Sequence, residues 1–282
     1  GPVLVEIIVA WLGPFRDVQF VGFALMMIVG ISLRILPPAY GLTALRHTPR
    51  LLRRSHCIYA LLLASFLLVA VGKVLMHKTD VPLFGIGVQV GYLGLLVGGI
   101  MTATTLGVFG TATDPDRSLK FVRAAFVWLL VSLVMLNLMR TYNRYYSAAT
   151  GDMFSHAYLN AYRHALSVGF IVMMVMGVTS KVVPTLRGQD ARRLSALGLP
   201  FALINFGNAL RVSAEVLTDF APRVFFLTGV GSVFVFAAML GWGVDLWRTL
   251  NAPIEGVPPC QQTVKKKLAG VNVRFIDATS ER

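Results

Sequence analysis

The feature that most constrains this chain is a succession of apolar blocks, each long enough to cross a membrane, separated by short basic connections. A helix needs about 20 apolar residues to span a hydrocarbon core of about 30 Å. Seven blocks reach that length: roughly 18–37, 57–77, 82–110, 121–142, 157–184, 194–217 and 223–249. Inside lipid no water is available to backbone amides, so each block must pair its amides within itself and is expected to be helical. The expected architecture is an all-α, polytopic transmembrane helical bundle over 1–249, followed by a basic tail over 250–282. Block three carries Gly85, Gly87, Gly91, Gly94, Gly98 and Gly99, a small-residue stripe that permits close helix approach, and is expected at the centre of the bundle.

Composition decides what the net charge of +13 means. The chain is 56% hydrophobic and 14% charged, against roughly 25% charged in a soluble domain. A soluble fold, a disordered chain and a nucleic-acid partner are excluded, and the bilayer is the expected partner. The cations sit between the apolar blocks: Arg46, Arg50, Arg53 and Arg54 in 38–56, Arg117 and Lys120 in 111–120, and Arg187, Arg192 and Arg193 in 185–193. The tail adds Lys265, Lys266 and Lys267, while the alternate connections carry little beyond Lys78, Arg144 and Arg223. By the positive-inside bias the N-terminus is expected outside and the C-terminus in the cytoplasm, with the tail against anionic headgroups. Tyr142, Tyr145, Tyr146, Tyr158 and Tyr162 would then mark the outer interface, where amphipathic rings are favoured.

Block one and block five repeat each other. At a constant offset of 147, Gly22, Phe23, Met26, Met27, Gly30 and Pro37 return as Gly169, Phe170, Met173, Met174, Gly177 and Pro184. Arg34 is matched by Lys181, and Gly41 by Gly188. Three helices lie between the copies, so both run in the same direction and the repeat is parallel. One reading is a shared packing design, and the other is a duplicated fold with chemistry where the copies differ. Asp17 in the first copy stands where the second has His164.

Ionisable groups inside a span cost a few kcal/mol and invite a functional explanation. His164 lies about two turns into block five, beside Arg163. Asn205, Asn208 and Arg211 follow one stripe of block six with Glu215 near them, and block two ends with Lys73, His77 and Lys78. Neutral imidazole is a common metal ligand, and a haem in a bundle needs an inward axial His with cations near its propionates. His164 could ligate iron from one side and His77 from a facing helix, with Arg211 or Arg163 on the propionates. His156, eight residues before His164, could hold a second metal such as copper. Against these stand structural roles: a hydrogen-bonded His164, interfacial His77 and His156, and Arg211 with Glu215 as an i,i+4 ion pair. No pair of side chains makes a convincing general acid and base.

The run His164-Ala165-Leu166-Ser167-Val168-Gly169, then Met173-Met174, Gly177-Val178, Lys181, Arg187-Gly188 and Arg192-Arg193-Leu194, resembles the NnrS family of membrane proteins. Asn208-Ala209-Leu210-Arg211-Val212 matches that family's Asn…Leu-Arg-Val pattern in the following span. The likeness is clearest over about 155–215. It implies a multi-pass protein of the bacterial cytoplasmic membrane that contains haem b, with copper also attributed to the family, in the response to nitric oxide. His164 would then be a metal-site residue. The expected function is haem binding in nitric oxide response or electron transfer. The alternative is a metal-free structural or quinone-site subunit of a larger respiratory complex with other redox subunits as partners. A transporter is disfavoured by the scarcity of Gly/Pro interruptions within the spans.

Overall fold

In a computed structural model of the protein, residues 11, 15–42, 49–78, 81–113, 116–190 and 197–252 are described, with 49–51, 77 and 78 described by their backbone alone. These form seven successive long helices: α1 (Phe15–Tyr40), α2 (Pro49–Lys78), α3 (Pro82–Leu106), α4 (Leu119–Thr150), α5 (His156–Leu186), α6 (Gly198–Thr218) and α7 (Phe226–Asn251). No strand occurs among the described residues, only an isolated bridge between Leu42 and Ala112. Six of the helices are long and apolar enough to cross a membrane. α6 is the exception, because Asn205, Asn208, Arg211 and Glu215 lower the hydropathy of a helix that has the length to span.

The helices run past the apolar blocks that mark them. α2 begins at Pro49, so Arg53 and Arg54 lie on its first turns and not in a loop over 38–56. α4 continues to Thr150, well past the apolar limit at 142, and carries Tyr142, Tyr145 and Tyr146 on its extension. Of the five tyrosines expected at the interface, Tyr145 is exposed, but Tyr158 and Tyr162 are core residues. Tyr142 stacks on Tyr158 with ring centroids 4.0 Å apart.

The centre of the bundle belongs to α4 and not to α3. α4 buries Phe121, Val122, Ala125, Phe126, Leu129, Ser132, Leu133 and Leu136 against its neighbours. The glycines of α3 serve a different purpose, seating that helix on α2 at Val69, Ser65 and Leu62. Its other face, with Leu83, Ile86, Val90, Leu93 and Val97, is exposed, as a lipid-facing surface must be.

The parallel repeat extends to backbone winding. Val18–Leu25 and Ala165–Val172 are both π-helical, eight residues each, and differ in position by the same 147. Each passes directly into α-helix at a methionine, Met26 or Met173. At the far end Gly41 (φ 56°) and Gly188 (φ 69°) both enter the left-handed region, which a residue without Cβ adopts at no steric cost. α2–α3 and α6–α7 are closely packed hairpins that follow each copy. The molecule is therefore two three-helix units, α1–α3 and α5–α7, with α4 between them. In the second hairpin Gly207 and Gly231 let the backbones touch: a Cβ at either would stand 2.7 Å from the other's carbonyl oxygen.

Candidate functional site

The second copy holds a chain of polar contacts between α5, α6 and α7. His164 ends the first α-helical stretch of α5, immediately before the π-helical turn. Its Nδ1 lies 3.0 Å from Glu215 Oε2 and 3.0 Å from the Asn160 carbonyl oxygen. Both neighbours are acceptors, so Nδ1 is the protonated nitrogen in the neutral ring, whose Nε2 lone pair is then left for another partner. Glu215 Oε1 in turn accepts from Arg211 Nε at 3.2 Å. The Arg211 guanidinium also donates to the Ser232 hydroxyl on α7, which donates to the Thr228 carbonyl at 2.7 Å. Glu215 is 9% exposed, whereas His164 and Arg211 keep 25% and 28% of their side chains accessible. The carboxylate is thus the buried hub, with an imidazole and a guanidinium on either side at the flank of the bundle.

One turn deeper, Asn208 is fully buried, and neither its Nδ2 nor its Oδ1 has a hydrogen-bond partner among the described residues. It packs where Gly169 of the π-helical turn meets Trp128 of α4. Trp128 donates its indole N–H to Asn205 Oδ1 at 3.2 Å, and Asn205 donates to the Phe201 carbonyl at 2.8 Å. Of the three polar positions read as one stripe of α6, Asn205 and Asn208 face α4 and α5, whereas Arg211 turns towards Ser232 of α7.

The sequence-expected site divides on inspection. His164, Arg211 and Glu215 are brought together. Arg163 is half-buried and about 100° further round the helix from His164. His156 is exposed at the first turn of α5, its ring edge-on to Phe154 at 5.2 Å, and is not part of the His164 chain. The side chains of His77 and Lys78 lie outside the described residues, as does the tail from 253. Among the described residues no cluster of three or more His, Cys, Asp or Glu could hold a metal ion. A metal at His164 would accordingly need donors supplied by a cofactor, and a single imidazole oriented by a carboxylate fits that requirement.

Two further clusters escape sequence reasoning. Asp17, at the position equivalent to His164, pairs with Lys73 of α2, and the Lys73 ammonium stands 5.6 Å from the centroid of the Tyr92 ring. In both copies, then, the residue that precedes the π-helical turn is tied to a charged group on the next helix. At the opposite end Lys181 pairs with the buried Asp116 at 2.9 Å. Asp116 Oδ1 accepts the Ser118 backbone N–H at 2.8 Å, and the Ser118 and Tyr40 hydroxyls are 2.8 Å apart. Trp242 donates to Ser180 Oγ at 3.1 Å beside them. The equivalence of Asp17 and His164 was the only sequence signal for the first cluster, and nothing in the sequence announced the second.

No curated protein matches this chain. A family model described as NnrS protein matches residues 5–253, which takes in all seven helices and both copies of the repeat, and the chain belongs to the NnrS family.

Proposed function

We propose that this NnrS-family membrane protein binds haem through Nε2 of His164 and acts in the response to nitric oxide or in electron transfer. The observation that carries the reading is the 3.0 Å contact between His164 Nδ1 and Glu215 Oε2. A ligating histidine characteristically gives its other N–H to a carboxylate, which fixes the ring orientation and raises its basicity. Arg211 neutralises the same carboxylate, so the hub can hold its charge inside a span. Bound haem would supply an iron for a diatomic ligand or an electron. The chain's own residues orient the imidazole, keep its proton on Nδ1 and set the charge next to it. Arg211 is engaged by Glu215 and Ser232, which leaves Arg163 as the cation beside His164 without such ties among the described residues.

The optical spectrum of the purified protein tests the reading. A Soret band should be present in the wild type and lost in His164→Ala. Glu215→Gln should keep the imidazole but weaken haem retention by about tenfold to a hundredfold, as loss of an orienting partner does. An undiminished Soret band in His164→Ala would overturn the assignment.

A second reading, a metal-free subunit of a larger respiratory complex, is favoured by one observation. His164 and Arg211 are a quarter exposed on the outside of the bundle, where a charged group at membrane depth calls for a covering neighbour. A colourless wild-type protein that co-purifies with other subunits would select it.

A further inference from the structure

A cleft of about 940 Å³ opens between the first turns of α3 and the last turns of α4, away from the His164 chain. Its walls are largely apolar, with Val88 and Met139 buried and Met76 and Val81 exposed, and Gln89, Asn143 and Ser147 add polar groups. Arg140 and Arg144 line it from α4, both exposed and one helical turn apart. At that spacing the two side chains leave the same face of the helix. Among the described residues no carboxylate pairs with either guanidinium.

Depth identifies what they face. α4 has 32 residues and is about 48 Å long at about 1.5 Å per residue, against a hydrocarbon core of about 30 Å. About 20 residues from Leu119 exhaust that core, which puts Met139 at its edge and Arg140 and Arg144 among the headgroups. Arginines at that depth ordinarily snorkel from a convex helix surface. Here they line a concavity whose apolar walls lead back towards the acyl region. We propose that the cleft is a binding site for an anionic phospholipid. Its phosphodiester lies between Arg140 and Arg144, and its glycerol and upper acyl chains run along Met139, Val88 and Met76. A bare inorganic anion would leave most of the apolar wall uncovered. A zwitterionic lipid would bring its own cation against two unpartnered guanidiniums.

Native mass spectrometry of the full chain, released from nanodiscs of equal phosphatidylglycerol and phosphatidylcholine, tests this. The wild type should retain phosphatidylglycerol in preference by about thirtyfold, the scale expected from two interfacial arginines. The double variant Arg140→Ala/Arg144→Ala should bring the ratio close to one. Arg223→Ala removes an exposed cation from the same end of the bundle and should leave the preference intact. Gly85→Phe keeps both arginines but fills the cleft: a Cβ there meets nothing nearer than the end of Met76 at 3.8 Å, so the ring has room to enter. That variant should lose the retained lipid. Selectivity that survives the double variant, falls equally in Arg223→Ala, or persists in Gly85→Phe would overturn the proposal. None of these substitutions touches His164, so this test and the Soret test fail independently.

Discussion

The buried amide of Asn208 shows most directly how this molecule differs from a plain hydrophobic bundle. Leaving a buried polar group without a partner costs about 1–3 kcal/mol, and α6 bears that cost one turn from the Arg211–Glu215 pair. Asn208→Leu removes both orphaned atoms at similar volume. Its apparent thermal midpoint in detergent should rise, by an amount corresponding to about 1 kcal/mol. A fall in the midpoint would show that the amide already has a partner. Arg211 with Glu215 was readable from their spacing of four. His164 with Glu215 was not, because 51 residues separate them and only the packing of α5 on α6 closes the gap. Asp17 with Lys73 was hidden in the same way: the repeat drew attention to Asp17 but said nothing about α2.

Helices were legible where the apolar signal was continuous and lost where it stopped. The polar stretch after Tyr142 ended block four in the sequence, yet α4 carries on for two more turns because its amides still pair within the helix at the membrane edge. The glycine stripe of α3 is the packing device its spacing suggested, but the central place expected for that helix belongs to α4. Most of it seats α3 on α2, Gly99 meets Leu133 of α4, and the opposite face meets lipid. The π-helical turns had no sequence signature at all, since a stretch such as Val18–Leu25, apolar but for Gln19, has no polar periodicity that selects one winding over another. In the second hairpin the contact between Gly207 and Gly231 governs how closely α6 and α7 approach. Gly207→Val should push the helices apart and destabilise the protein by about 2 kcal/mol, the scale of core overpacking. Urea titration followed by tryptophan fluorescence would measure it, and an unchanged midpoint would mean that the hairpin relaxes without loss.

At the scale of the whole molecule, the sequence repeat forecast two copies pointing the same way, and matched π-helical turns and matched left-handed glycines bear this out. The six identities at one offset were enough, since each falls where the copies share backbone geometry. Sidedness can be measured directly. Single cysteines at Thr113 and Arg187, in a background with Cys57 and Cys260 replaced, should react with a membrane-impermeant maleimide from one face only. Cysteines at Thr150 and Phe220 should react from the other. By the charge distribution the first pair faces the cytoplasm, and labelling of all four from one side would dismantle the seven-pass arrangement.

The single helix between the two units has a consequence of its own. A three-helix unit ends on the opposite side from where it began, so a direct tandem copy would be upside down. One extra crossing, α4, turns the second unit upright again. The Asp17–Lys73 and His164–Glu215 pairs therefore lie at the same end of the bundle, each just before its π-helical turn.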